Sequence, residues 1–226
     1  MAEKIPYSSI PFDTVASTVL DVAELGIDVE YYQQLNSDGN EAFVDRLKIF
    51  VPNAKDITDV GARYGSLTYK LKEAWKYANV IGLDASSKSL IVARFVCPGA
   101  QFIEHDINNP FPVEDESQDV VVSLETLKYL KTAPWVIANM MRALKQGGVI
   151  GFSVGTHDGE RVEARGSFSP DGHKTASASI PIYSHPFKSI EEAVCVSGGV
   201  ILNENMLNKS DPVWNIIIAR KMELNA

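Results

Sequence analysis

What most constrains this chain is the alternation that begins at residue 56. Short apolar runs of strand length trade places with stretches of helical period from there to residue 154. "DITDV" (56–60), "NVIGLDA" (79–85), "AQFIEHD" (100–106), "QDVVVSL" (118–124) and "GVIGFSV" (148–154) read as strands. Between them, 66–78, 86–96 and 134–145 place apolar residues on one helical face. A serine opens the second of these helices, and a proline opens the third, which Gly147 and Gly148 are expected to end. Strands that are apolar along their whole length are buried on both faces. Alternated with helices, they predict a parallel sheet covered on both sides, an α/β fold of Rossmann-like kind.

After Val154 the pattern breaks. Residues 155–188 are rich in Gly, Ser, Pro and His and show no clear period. A short helix over 189–199 follows. Then "VILNENML" and "VWNIIIARKM" read as two strands joined by "NKSDP", so the sheet is expected to finish with an antiparallel pair. The first fifty residues read as mainly helical. The expected organisation is one domain: a helical cap or lid over 1–50, then a ligand-binding body over 51–226 with a substrate-loop insertion at 155–188. Hydrophobic residues make up 45% of the 226, enough for a sizeable core.

Composition removes several classes. No apolar run reaches the roughly 18 residues of a membrane span, and the N-terminus lacks a secretory apolar stretch. Cys97 and Cys195 form no metal or redox spacing, so a cytoplasmic setting is expected. A formal net charge of -8 weighs against a nucleic-acid partner.

The stretch "ITDVGARYGSLTYKL" (57–71) runs from the first strand through a glycine turn into the next helix. In a doubly wound sheet, ligands sit beyond the carboxyl ends of the strands. Gly61 and Gly65 would let backbone approach a ligand there, with helix-start amides facing a phosphate or carboxylate. Asp84 ends the second strand, where an acid can accept from both ribose hydroxyls. Asp106 ends the third, where it can accept from an adenine amino group. Taken singly, each acid reads equally as a cap for the next helix or turn. With Asp59 at the end of the first strand, three of them around a glycine turn favour a nucleoside ligand.

These stretches together resemble the class I S-adenosylmethionine-dependent methyltransferases of the broad small-molecule type. "DVGARYG" resembles that family's D-x-G-x-G-x-G, "IGLDAS" its ribose-binding strand end, "HDINNPFPVEDESQDVVVSLETLKYL" its run into the fourth strand, and "RALKQGGVIGFSV" its R-x-L-K-P-G-G-x-L strand. The resemblance covers residues 57–154 and implies strand order 3-2-1-4-5-7-6 with strand seven antiparallel. It implies S-adenosylmethionine as cofactor and methyl transfer to a small-molecule acceptor by in-line displacement. Carried over by position, Gly61, Ala62 and Gly65 would line the methionine end, with Asp59 beneath them. Asp84 and Ala85 would meet the ribose, Asp106 and the Ile107 backbone the adenine, and Leu124 the methionine moiety.

Arg63 departs from the family, standing where the middle glycine belongs. Three readings remain open: a side chain turned to solvent, a guanidinium that forks onto the cofactor carboxylate, or a crowded loop that binds poorly. "ETLKY" (125–129) departs from a metal-binding E-x-x-E-H seen in some relatives, since Lys128 and Tyr129 replace two ligands, so no metal is expected. "NNPF" (108–111) reads as a turn. His157, His173 and His185 fall in the irregular segment. His157, nearest the strand end, is the candidate general base, against the plainer reading of a solvent-facing loop histidine. Arg161 and Arg165 could grip an acidic substrate if helical, and Tyr7, Phe12, Tyr31 and Tyr32 could offer aromatic surface to an acceptor. Rival readings are a nicotinamide-dependent oxidoreductase, a cyclase or decarboxylase on the same fold, and a non-catalytic binding or scaffolding member. The identity of the acceptor and the oligomeric state are left open.

Overall fold

A computed structural model describes residues 38–157, 163–165, 181–206 and 213–223. Along them the chain forms α1 (Asp38–Phe50), β1 (Asp56–Val60), α2 (Ser66–Ala74), β2 (Asn79–Asp84), α3 (Ser87–Val96), β3 (Gln101–Glu104) and β4 (Gln118–Ser123). A 3-10 turn (Leu127–Tyr129), α4 (Ala133–Ala143), β5 (Leu144–His157), β6 (Glu163–Arg165), β7 (Pro181–Pro186), α5 (Phe187–Val196), β8 (Gly199–Met206) and β9 (Val213–Lys221) complete it.

Strands β3, β2, β1, β4 and β5 run parallel in that order. On the far side of β5 lies β9, antiparallel to it, and β8 pairs antiparallel with β9. The order is therefore 3-2-1-4-5-9-8. The expected 3-2-1-4-5-7-6 is present, with its antiparallel last strand, once the additional β6 and β7 are set aside.

Those two strands correct the reading of 155–188 as irregular. β5 continues to His157, and Gly155, Thr156 and His157 pair in parallel with Ser184, His185 and Pro186 of β7. Gly155 and Thr156 also pair with β9, so β7 must lie on the β4 side of β5. β4 ends at Ser123, and β7 takes over its place in the sheet beyond that point. β6 then pairs antiparallel with β7.

Helices α1, α2 and α3 cover one face, α4 and α5 the other. Along α2, Leu67 and Leu71, with Trp75 just beyond its end, recur at four-residue spacing. They join Phe43 and Leu47 of α1 over Ile57, Val80, Val120 and Val122. On the opposite face Val136, Ile137, Met140 and Met141 of α4, with Ile190 and Val194 of α5, cover Val60, Val121, Ile150 and Phe152. The described part of the N-terminal segment thus covers a sheet face. The lid expected from residues before it lies outside the described residues, with Tyr7, Phe12, Tyr31 and Tyr32.

Two helix ends fall earlier than their patterns imply. α4 stops at Ala143, not at the glycines, because Leu144 turns extended (ψ 135°) and begins β5. α2 stops at Ala74, where the Trp75 indole donates to the Val51 carbonyl at 3.0 Å.

Candidate functional site

The turn from β1 to α2 lies at the carboxyl edge of the sheet, between the ends of β2 and β4. Its three glycine-motif positions all have left-handed backbone: Gly61 (φ 83°), Arg63 (φ 47°) and Gly65 (φ 80°). Glycine adopts this region freely, whereas an arginine does so at a cost of about 1 kcal/mol or more. At Gly61 room matters too. A Cβ there would sit 2.7 Å from the Thr126 Cβ, so the turn lies directly against the segment that follows β4.

The amides of Gly61 and Ala62 do not face outward. Both donate to the Leu83 carbonyl, at 2.7 and 2.9 Å, and the Gly65 amide donates to the Ala62 carbonyl at 2.8 Å. The turn is a closed loop tied to β2. Phe102 of β3 fills the space against Ala62, Gly65 and the glycine of β2, Gly82.

Each of the three strand-end acids holds local structure. Asp59 is fully buried and accepts from the Thr68 hydroxyl at 2.6 Å and from the Thr68 amide, which caps the start of α2. Burial pushes its carboxyl up to about 7, helped by the neighbouring Asp84 and opposed by Thr68. Asp84 accepts from the Ser86 amide through Oδ1 and from the Arg63 amide through Oδ2, both at 2.8 Å. Burial raises its pKa also, while those two amides and the Arg63 charge draw it back. Asp106 is exposed, and its Oδ1 accepts from both nitrogens of Asn108 at 2.9 Å, which lowers its pKa. With the Asn109 amide bonded to the Asp106 carbonyl, the turn closes over 106–109, two residues ahead of the 108–111 expected for it. Capping does not exhaust a carboxylate, since its two oxygens offer about four acceptor sites.

Ala85 is exposed beside Asp84, while Ile107 is buried against Leu83, Val60 and Phe111. Leu124, half-buried past β4, is followed by a strained step: Glu125 has φ 59°, and its amide donates to Ser153 Oγ at 2.7 Å. Lys128 pairs with the Glu125 carboxylate and also lies 5.3 Å from the Tyr129 ring. Among the described residues no group of His, Cys, Asp and Glu forms a metal cluster.

His157 is corrected in its setting. It is the last residue of β5 and buried, not a solvent-facing loop histidine. His185 of β7 is buried as well, with Nε2 3.1 Å from the Leu130 carbonyl. By strand pairing His185 lies beside Thr156, so His157 falls on the opposite face. Thr156 accepts from Asn215 of β9 at 2.6 Å. His173 and Arg161 lie outside the described residues. Arg165 belongs to β6, a strand, so the helical pairing expected for it with Arg161 does not arise.

Thr68, Ser153 and Thr126 were missed by sequence reasoning. Thr68 had a usable signal, a hydroxyl at the third position of a helix that follows an acid-ended strand. Ser153 and Thr126 had none, because their partners, Glu125 and Gly61, lie in turns far away along the chain.

A mostly parallel Rossmann-like sheet, closed by an antiparallel strand and bearing a glycine turn with an acid at the next strand end, is an architecture that nucleoside-binding α/β proteins share. Residues 58–152 match the family described as methyltransferase domain. The trans-aconitate 2-methyltransferase of Acidovorax sp. (strain JS42) is 30% identical over 124 residues, which are 54% of this chain and 47% of that protein. That of Escherichia coli (strain K12 / DH10B) is 26% identical over 120 residues, 53% of this chain and 47% of that one. The chain spans about half the length of these curated relatives. Among solved structures, an S-adenosylmethionine-dependent methyltransferase from Mesorhizobium loti superposes with TM-score 0.62 at 18% identity, covering 82% of this chain and 99% of that one. An S-adenosylmethionine-bound amino pentose methyltransferase from Micromonospora echinaspora gives TM-score 0.63 at 18% identity, covering 90% and 98%. At such identities the likeness is one of fold. Residues 58–152 thus match a methyltransferase domain, and the sheet has the fold of the solved S-adenosylmethionine-dependent methyltransferases.

Proposed function

We propose that this protein transfers a methyl group from S-adenosylmethionine to a small-molecule acceptor. The observation that carries the reading is the 61–65 turn, left-handed at all three positions of the glycine motif and bonded through Arg63 to the acid that ends β2. The residues fit the cofactor in kind. A tight turn lets the cofactor approach the backbone, and Asp84 is half-buried with acceptor capacity remaining. When bound, the cofactor supplies an electrophilic methyl on a sulfonium, which an acceptor displaces in line to leave a neutral thioether.

In this reading Gly61, Ala62 and Gly65 line the methionine end, and Asp59 orders the turn from below. Asp84 and Ala85 meet the ribose, Asp106 and Ile107 the adenine, and Leu124 the methionine moiety. Holding the acceptor in line lowers the barrier because aligned reactants have large effective molarities. A base is needed only for a protonated acceptor, and His157 at the end of β5 is its candidate. The named activity of the Acidovorax and E. coli relatives makes carboxylates the first acceptors to try, and a carboxylate needs no base. The negative net charge supports a small acceptor over nucleic acid. Free Cys97 and Cys195 support a reducing, cytoplasmic setting. No helix among the described residues is long and apolar enough to cross a membrane.

Calorimetric titration with S-adenosylmethionine and S-adenosylhomocysteine, with NAD as control, tests the reading. Micromolar binding of both thio-nucleosides is expected, followed by label transfer to a member of a small-acid panel. Binding of NAD alone would return the oxidoreductase reading, and binding of none would make this a non-catalytic member of the fold.

A further inference from the structure

Arg63 is this chain's own departure from the family's glycine motif, and its surroundings give it a task. A glycine at 63 would donate the same amide to Asp84 with no backbone cost and no charge. The arginine keeps the amide bond, at 2.8 Å, while holding φ 47°. Its guanidinium lies 5.1 Å from the centre of the Tyr64 ring. Tyr64 is buried with Ala62, Leu90, Ala93 and Phe102, so the ring is a fixed platform. The charge so held acts on Asp84, whose ionised form burial opposes.

The other charged groups around Asp84 differ in sign. Asp59 lies under the same turn, and Glu104 stands beside Asp84 in the parallel register of β3. His105 donates its backbone amide to the Asp84 carbonyl at 2.9 Å, and Lys88 projects from the first turn of α3. Burial is what works against ionisation of Asp84, and Arg63 is the cation whose field works for it.

We propose that Arg63 is a positioning residue of the nucleoside site: stacked on Tyr64, it keeps the Asp84 carboxylate ionised and aimed to receive ribose hydroxyls. The inference rests on the reading of Asp84 as the ribose acid. It differs from a guanidinium that forks onto the cofactor's own carboxylate, because the effect passes through Asp84.

The test is S-adenosylhomocysteine affinity by calorimetry between pH 5 and 8, for wild type, Arg63→Gly, Arg63→Lys, Asp84→Asn and the Arg63→Gly/Asp84→Asn double variant. Arg63→Gly is expected to weaken binding about tenfold at the acid end and to move the acid limb of the affinity profile upward by about one pH unit. Arg63→Lys should restore most of that limb. In the Asp84→Asn background, Arg63→Gly should add nothing. The glycine relaxes the left-handed backbone, so the melting temperature of Arg63→Gly should hold or rise, and lost affinity will not be lost fold. Equal or tighter binding by Arg63→Gly at every pH overturns the inference, as does an undiminished loss in the Asp84→Asn background. If wild type binds neither thio-nucleoside, the functional reading and this inference fall together. If wild type binds and Arg63→Gly matches it, only this inference falls.

Discussion

At the ends of β1, β2 and β3, polar groups find partners close by in the chain. Asp59 meets Thr68 nine residues on, and Asp84 and Asp106 each bond an amide two residues on. At the end of β5 the partners are distant. Ser153 meets Glu125 across 28 residues, His185 meets Leu130 across 55, and Asn215 meets Thr156 across 59. The first half of the carboxyl edge is made of turns that fold onto themselves. The second half exists only when β5, β7 and β9 have assembled, since loop closure must precede those bonds. The contrast separates a glycine turn held by backbone from an opposite side held by buried side chains. Arg63–Asp84, 21 residues apart, ties the first turn to the second strand together with the Gly61 and Ala62 amides on the Leu83 carbonyl.

The sharpest way to break the contrast is Gly61→Ala. Its Cβ would enter the space of Thr126 at φ 83°, and a loss of about 3 kcal/mol or more is expected, with loss of S-adenosylhomocysteine binding. Thermal melting and calorimetry check it, and Thr126→Ala should return part of the stability. A well-folded, tightly binding Gly61→Ala would mean that the turn can rearrange away from the β4 side.

Asp59→Asn comes next. The folded-state carboxyl titrates at about 7, against an ordinary 3.8. Between those values the folded protein binds the extra proton, so the contribution of Asp59 to stability is full below the lower value. It is lost as pH rises through the window. Relative to Asp59→Asn, wild type should lose stability from pH 4 to 8, on the order of a few kcal/mol. Denaturant midpoints at several pH values read this directly. A flat difference would mean that Asp59 stays charged in the fold, with Thr68 outweighing burial.

Ser86→Ala tests the local character of the first half. Ser86 Oγ caps α3 by accepting the Ser89 amide at 3.2 Å, and its loss should cost about 1 kcal/mol without altering the carboxyl end of β5. The smallest effect is expected in the second half, for Thr156→Val with Asn215→Leu. Asn215 Oδ1 is buried without a hydrogen-bond partner, so replacing both groups by apolar ones should change stability by less than about 1 kcal/mol. Unchanged stability with lost methyl transfer would sharpen the contrast, because it would place this pair in the acceptor site.

Legibility followed the same division. "DVGARYG" announced a turn because positive φ leaves a trace in glycine, and two of its three left-handed positions carry it. Ser86 announced α3, and strand ends at Asp84 and Ser123 fell within a residue of their patterns. The inward aim of the Gly61 and Ala62 amides was not legible, since it depends on the Leu83 carbonyl of another strand. Nor was β7: "PIYSHP" has two prolines and no period, and becomes a strand because β4 stops short and leaves an edge of β5 unpaired. His157 was correctly placed near a strand end, but its burial depends on strands that no local pattern connects to it.

By itself the amino-acid order determined the parallel α/β sheet, its antiparallel finish, the glycine turn and the three acids at successive strand ends. Each of these rests on a short-range rule of sterics, periodicity or capping. Tertiary structure alone decided how the acids are engaged, how Arg63 reaches Asp84, and which histidines end up buried beside β5. These outcomes depend on partners brought together by strand pairing, and pairing over long loops is settled by the packing of the whole sheet.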